Sequence, residues 1–162
     1  PRPRFLLPCA PPPLRGAAEL GHQIAPKLHR TNGDQMNDFG CARCWPPSAE
    51  DAWTAKSGSR IESFLIDEPH YIVSIWLCPT CNQRFLSITT EKIDWEDGED
   101  PIYRTFIPIN EQEAASLQKS SPPTKSMLNA IGRGRRSLQY DHPKGSRPAV
   151  YWSTGVSVGM HD

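Results

Sequence analysis

Two Cys-x-x-Cys pairs constrain the fold of this chain more than any other feature. Cys41-Ala-Arg-Cys44 is the first pair and Cys78-Pro-Thr-Cys81 the second, with 33 residues between them. A turn of this kind places two thiolates about a metal's width apart, and two such turns supply four soft anionic ligands in a tetrahedron. Four thiolates fill the coordination shell of zinc and leave no position for water or substrate. The spacing therefore predicts one structural zinc ion held by Cys41, Cys44, Cys78 and Cys81.

Three alternatives to a zinc site stay open for the cysteine pairs. Iron in a rubredoxin-like site uses the same ligands, although nothing else in the sequence suggests a redox partner. A thioredoxin-like redox pair begins a helix within a βαβ unit, and neither pair has that context. Disulfides require an oxidising compartment. The fifth cysteine, Cys9, stands apart from both pairs, and we assign it no role.

The first 35 residues have a different composition from the rest of the chain. They hold seven prolines and no sustained periodicity, so we expect a disordered leader at 1–35. Its apolar run is too short for a signal peptide, whose core has about 7 to 15 apolar residues. The first methionine is Met36, and we hypothesise that the natural protein begins there. Without export the compartment is the reducing cytoplasm, and no apolar stretch reaches the roughly 20 residues of a membrane helix.

The remaining sequence predicts a small α+β fold. Residues 71–77 and 83–90 are rich in β-branched and aromatic side chains, so we expect two strands joined as a hairpin by the second cysteine pair. A third strand is expected at 102–109. Asn110, with Glu113 three residues on, is a capping-box pattern that predicts a helix at 111–119. We also expect three shorter elements: a helix capped by Ser48, an edge strand at 64–66 and a strand near Val150.

These elements suggest a zinc-ribbon domain at 36–120, with an antiparallel sheet and one or two short helices. Seventeen prolines and only 37% apolar residues argue against regular structure from end to end. We therefore expect the segment 121–162 to be an irregular basic tail with one short strand. A core this small needs a staple such as a bound metal ion.

The net charge of the chain is zero, so no overall electrostatic field attracts it to nucleic acid or to membranes. The zero total nevertheless hides an acidic turn at residues 91–101. Five acids occupy the seven positions from Asp94 to Asp100. A calcium loop is one interpretation, although its later ligands do not fall in register. A second is a recognition surface for a basic partner, anchored by Trp95. The favoured interpretation is a solvated turn with Trp95 packed into the core, because charge runs are usually solvated.

The C-terminal segment carries an arginine cluster followed by aromatic residues. This combination suits nucleic acid, since phosphates provide affinity and aromatic rings stack on bases. The acidic turn would repel the same phosphates, and pairing between the turn and the basic segment is an equal alternative. The residues concerned are Arg133, Arg135, Arg136, Tyr140, Tyr151 and Trp152.

An enzyme is the weakest of the function classes. The sequence has no nucleophile with a positioned base, no glycine-rich phosphate loop and no open metal position, so we predict no catalytic residues. A cleft formed by His70, Glu91 and Asp94 would reverse that expectation. We expect a non-enzymatic module that contacts a protein partner, with a nucleic-acid-binding ribbon as the alternative.

A resemblance to a known group of proteins rests on three stretches of the sequence. Two of them are Trp76-Leu-Cys-Pro-Thr-Cys81 and Thr90-Glu-Lys-Ile-Asp-Trp-Glu-Asp-Gly-Glu-Asp-Pro101. Together with the third, Cys41-Ala-Arg-Cys-Trp45, they resemble a group of small, uncharacterised bacterial zinc-ribbon proteins. The resemblance covers about residues 36–118. It implies a zinc ribbon with the same four cysteines as ligands, and it brings no established activity.

Overall fold

The computed structural model describes residues 39–96, 98, 100–120 and 122–156, all within the unit Gly33–Asp162. The predicted leader at 1–35 lies outside the described residues. None of the described helices is long and apolar enough to cross a membrane. The described elements are, in chain order, α1 (Ala49–Lys56), β1 (Arg60–Glu68), β2 (Tyr71–Leu77), β3 (Arg84–Glu91), β4 (Ile102–Ile109), α2 (Glu111–Lys119), α3 (Lys125–Gly132), β5 (Arg136–His142) and β6 (Ala149–Thr154).

The strands form one antiparallel sheet in the order β1-β2-β3-β4-β5-β6, so each strand pairs with its neighbour in the sequence. The register sets Val73 opposite Ile88 and Leu86 opposite Ile107. Helix α1 precedes the sheet, while α2 and α3 lie between β4 and β5 along the chain. The fold of the described residues is therefore α+β.

The two faces of the sheet have separate cores, because successive side chains of a strand point to opposite sides. The first face packs against Leu117 of α2 and Leu128 of α3. The second packs against Ala52 of α1 and against Trp45, which follows the first cysteine pair. Strand residues of the first face are Val73, Ile75, Leu86, Ile88 and Ile109, and those of the second are Phe85, Phe106 and Leu138.

Most elements between residues 48 and 119 confirm the sequence-based predictions. The strands predicted at 71–77, 83–90 and 102–109 are β2, β3 and β4, and the helix at 111–119 is α2. The Ser48 hydroxyl accepts from the Asp51 amide at 3.2 Å and caps α1. Both bonds of the capping box between Asn110 and Glu113 are present at 2.8 Å.

The prediction of an irregular tail at 121–162 is wrong for the described residues, although its one short strand near Val150 is confirmed as β6. This segment supplies α3 and two further strands, of which β5 pairs along β4. The reason is a buried polar pattern that hydropathy does not reveal. Gln139 is fully buried, its amide donates to the Ser137 hydroxyl at 2.9 Å, and its carbonyl accepts from Thr105 of β4. Polar residues that satisfy one another can lie inside a sheet at little cost.

Candidate metal centre

The first knuckle (residues 41–44) is a tight turn that leads into α1. The Trp45 amide donates to the Cys41 carbonyl at 2.9 Å, and the Cys41 amide donates to the Cys44 sulfur at 3.3 Å. Gly40 precedes the turn with a φ of +79°, in the left-handed region that favours glycine. The backbone thus curls around the sulfur of Cys44, which lies in the core with its residue only 1% exposed.

The second knuckle (residues 78–81) is the connection between β2 and β3. The Cys78 amide donates to the Gln83 carbonyl at 2.9 Å, and the Asn82 amide donates to the Cys78 carbonyl at 2.9 Å. Asn82 closes the turn with a φ of +59°, a conformation that asparagine tolerates better than most residues. The hairpin therefore presents both cysteines at one end of the sheet.

The structure brings the four predicted cysteines together. Their sulfur atoms all lie within 4.8 Å of one another, and the four thiols are free. The sulfur of Cys44 lies 3.7 Å from that of Cys41 and 3.6 Å from that of Cys81. A tetrahedron with metal–sulfur bonds of about 2.3 Å has sulfur–sulfur edges of about 3.8 Å. The four cysteines can therefore hold a metal ion.

The local backbone already favours thiolate at two of the four positions. Burial opposes ionisation of Cys41, but hydrogen bonds from the backbone of Cys44 and Arg43 lower its pKa to about 7. Burial likewise opposes ionisation of Cys78, whose pKa is lowered by backbone hydrogen bonds within its own knuckle. Burial raises the pKa of Cys44 and of Cys81. A cation at the centre is the group that would draw all four sulfurs into the charged form.

Gln83 joins the two knuckles, and sequence reasoning missed this role. Its side-chain carbonyl accepts from the Gly40 amide at 3.0 Å. Its amide nitrogen donates to the backbone carbonyls of Arg84 at 2.7 Å and Ile109 at 2.8 Å. The first knuckle is thereby fixed to the hairpin and to β4. The only signal in the sequence is an amide side chain two residues after the last cysteine.

Lys56 is a second residue that the sequence did not reveal. It ends α1 and is buried, with its ammonium 2.7 Å from the Cys44 carbonyl and 3.7 Å from the ring centroid of Phe85. Burial lowers its pKa to about 8, although the nearby cysteines favour the charged form. A lysine in the last turn of a short helix normally indicates a solvated surface, so no pattern pointed to this position.

The acidic turn differs from its favoured interpretation at one residue. Trp95 is 87% exposed, so the prediction that it packs into the core is wrong. Asp94 organises the turn: its side chain accepts from the Glu96 amide at 3.1 Å, and its carbonyl accepts from the Gly98 amide at 3.0 Å. Asp94 also pairs with Lys144 of the C-terminal segment. The turn therefore presents a tryptophan to solvent and neutralises one basic residue of that segment.

Two arginines of the cluster are held by contacts within the fold. Arg135 donates to both oxygens of Glu113, at 2.9 and 3.0 Å, and to the Pro108 carbonyl at 2.8 Å. Arg136 lies with its guanidinium carbon 3.5 Å from the ring centroid of Trp152 and donates to the Pro47 carbonyl at 3.1 Å. Two of the three arginines and the tryptophan therefore take part in the packing of the fold.

His70, Glu91 and Asp94, the three residues that could have formed an enzymatic cleft, take part in two separate ion pairs. His70, in the turn between β1 and β2, pairs with Glu91 at 2.9 Å, whereas Asp94 pairs with Lys144. Comparison with protein-family models, curated proteins and solved structures finds no match to this chain. The resemblance to bacterial zinc ribbons therefore stays a prediction.

Proposed function

We propose that this chain is a structural zinc module that acts as a non-enzymatic protein-interaction domain in a reducing, cytoplasmic setting. The observation that carries the proposal is the convergence of the four cysteine sulfurs within 4.8 Å. Zinc prefers four thiolates at this spacing, and four protein ligands leave no position for a substrate. Such a site contributes to folding and has no chemistry of its own. The hairpin between β2 and β3 with the first knuckle then constitutes the ribbon.

The position of the site explains why the fold would need the metal. Cys44 and Cys78 belong to the same core cluster as Trp45 and Phe85. Without a cation, four thiols would have to share this space, and the sulfurs would no longer join the first knuckle to the hairpin. Binding of structural zinc contributes on the order of 10 kcal/mol to the folded state. This is comparable with the whole stability of a small domain, which is about 5–15 kcal/mol.

The acidic turn is the contact surface in this proposal. An exposed tryptophan is a frequent energetic centre of protein interfaces, and Trp95 is the most exposed large apolar residue of the described chain. Asp94 and Glu96 flank it, so a complementary partner presents an apolar pocket with basic residues at its rim. The metal site and the contact surface are separate parts of the protein. The metal stabilises the sheet, and the sheet carries the acidic turn.

Metal analysis of the full chain, purified without added metal, tests the zinc assignment. We expect one zinc per chain, and chelation should expose four additional thiols. Cys81→Ser should lose the ion, while the matched control Cys9→Ser should keep it. A content of one iron per chain would show that the site is a rubredoxin-like iron centre and not a zinc site. Absence of metal together with two disulfides would overturn both the site and the compartment.

Capture from a cell extract by the zinc-loaded protein tests the contact surface. We expect the wild-type chain to retain partner proteins that Trp95→Ala does not retain. Phe64→Ala is the control, because Phe64 is 51% exposed on β1 and its substitution also removes an apolar ring from the surface. Equal retention by wild type and Trp95→Ala would contradict the assignment of the acidic turn. Nuclease-sensitive retention that depends on Arg133 would favour the nucleic-acid alternative instead.

A further inference from the structure

A cavity of about 390 Å³ opens beside α1, on the face of the sheet that carries the first knuckle. This volume lies within the range of about 300–1,000 Å³ that is typical of small-molecule sites. The cavity has aromatic walls and two cationic residues, and none of the described residues that line it is acidic. Its principal lining residues are Trp53, Lys56, Ile61, Trp76, Arg104 and Phe106.

Arg104 is the guanidinium of this cavity, and its hydrogen-bonding capacity is only partly used. It lies two residues before Phe106 on β4, partly buried, and its Nε donates to the Thr89 hydroxyl at 2.8 Å. Its two terminal nitrogens donate no hydrogen bond to any described residue. Burial lowers the pKa of Arg104; Tyr140 opposes that effect, and no carboxylate of the described residues does. A partly buried guanidinium that no described carboxylate pairs with is stabilised when an anion binds to it, since buried charges are normally paired.

Lys56 lines the same cavity but has its charge engaged elsewhere. Its ammonium donates to the Cys44 carbonyl at 2.7 Å and lies 3.7 Å from the ring centroid of Phe85. Arg104 is therefore the residue that offers a planar fork of N–H donors to a bound molecule, and this fork matches a carboxylate in two-point geometry.

The aromatic walls are held in place by contacts of their own. The Trp76 ring meets Phe106 edge-on at 5.3 Å, and its indole N–H donates to the Ser74 hydroxyl at 2.9 Å. The Trp53 ring lies parallel to Tyr140 at a centroid distance of 4.5 Å. Rings that are already fixed lose little conformational entropy when a flat molecule packs against them.

We propose that this cavity binds a small organic monoanion with a flat apolar body, of the aromatic carboxylate class. The carboxylate pairs with the terminal nitrogens of Arg104, and the ring system packs against Trp53 and Trp76. The single available guanidinium of Arg104 neutralises one negative charge of a ligand. It would leave one of the two charges of a phosphate dianion without a partner. This site lies outside the acidic turn and uses no metal ligand, so it goes beyond the zinc module and its partner contact.

Titration of the zinc-loaded full chain with 2-naphthoate tests the proposal. Two-dimensional NMR of the indole N–H signals follows each tryptophan separately. We expect saturable shifts of the Trp53 and Trp76 signals, with that of Trp95 unchanged. The neutral analogue 2-naphthalenemethanol should bind at least about 10-fold more weakly, because it loses the charge-assisted hydrogen bonds. The ringless anion acetate should also bind at least about 10-fold more weakly, because it buries almost no apolar surface against the two tryptophans.

Variants assign the binding to Arg104. Arg104→Gln should weaken 2-naphthoate binding about 10- to 100-fold, and Arg104→Lys should restore part of it. Arg60→Gln removes the same charge from β1 beside the cavity without lining it, so its affinity should equal that of wild type. Zinc content and circular dichroism verify that each variant is folded. The proposal is overturned by non-saturable shifts, by equal binding of the alcohol, or by unchanged affinity in a folded Arg104→Gln protein.

Discussion

The ammonium of Lys56 donates a hydrogen bond to the backbone carbonyl of Cys44 at 2.7 Å, inside the core that carries the first knuckle. Four thiolates around a divalent cation leave a net charge of about −2 on the proposed centre. A buried cation beside this centre is therefore compensated, and in turn it compensates the excess negative charge. The same contact ties the end of α1 to the turn that presents Cys44.

Replacing Lys56 by methionine keeps most of the side chain's volume but removes the charge and the hydrogen bond. We expect zinc affinity to fall about 10- to 100-fold, the usual effect of losing a group that supports a metal ligand. Lys119→Met, at the exposed end of α2, is the control and should bind zinc like wild type. Competition with a chromophoric chelator measures the affinities. Equal affinity of Lys56→Met and wild type would show that the ammonium does not support the centre.

Replacing Cys78 by serine should unfold the described domain. Cys78 is only 2% exposed within the second core, and its loss removes one ligand of the proposed zinc site. The lost binding energy, on the order of 10 kcal/mol, is as large as the stability of many domains. Circular dichroism with thermal melting should show no cooperative transition for Cys78→Ser. Cys9→Ser should melt like wild type. A metal-free Cys78→Ser protein with an unchanged melting temperature would rule out a structural role for the ion.

The features that could be predicted from sequence are those with strong local signals. Strand β2 is apolar on both faces apart from Ser74, so its central position follows from composition. Helix α2 begins at a capping box that stands in the sequence itself. The convergence of the four cysteines follows from the ligand spacing alone. In each case a few neighbouring residues determine the outcome.

Other features depend on contacts between distant residues, and local patterns do not contain them. Strand β5 was missed because its buried Gln139 is satisfied by Thr105, which lies on another strand. Gln83 was missed because its partners, Gly40 and Ile109, are far away in sequence. Arg104 likewise gains its significance only from the cavity that surrounds it. Such roles become visible once the sheet has brought the partners together.

The ion pair between Glu62 and Arg84 makes part of the stability depend on pH. Arg84 donates to both carboxylate oxygens of Glu62, at 2.7 and 2.8 Å. These bonds hold the pKa of Glu62 below its ordinary value of about 4.3, against a smaller opposing effect of burial. A carboxylate with a lowered folded-state pKa stabilises the protein above its ordinary pKa. That stabilisation is lost as the pH falls through the folded-state pKa.

We therefore expect wild type to be more stable than Glu62→Gln at pH 7, by less than about 1 kcal/mol because the pair is partly exposed. The difference should shrink as the pH falls below about 4. Urea unfolding at several pH values measures it, and each comparison is made at one pH so that effects on the metal centre cancel. In an Arg84→Gln background the pH-dependent effect of substituting Glu62 should be much smaller, because only burial and the charge of Arg60 still act on the carboxylate. A difference of undiminished size in that background would assign it to another group.

Gly40 and Gly134 offer a matched test of how tightly the first knuckle is packed. Both have a positive φ, of +79° and +70°, so alanine at either position carries a similar backbone strain of about 1 kcal/mol. They differ in their surroundings. A Cβ on Gly40 would lie 2.9 Å from the Cβ of Trp45 and 3.0 Å from the sulfur of Cys44, whereas one on Gly134 would meet nothing within 4 Å.

Gly40→Ala should therefore destabilise the protein by about 1–3 kcal/mol more than Gly134→Ala, the usual effect of forcing an extra methyl group into a packed site. It should also weaken zinc binding, because the clash displaces the sulfur of Cys44 or the ring that covers it. Urea unfolding and chelator competition, performed on both variants, measure the two effects. Equal losses of stability and equal zinc affinities for Gly40→Ala and Gly134→Ala would show that the turn accommodates the extra methyl group without a loss of free energy. In that case the metal, and not the packing around Gly40, determines the geometry of the first knuckle.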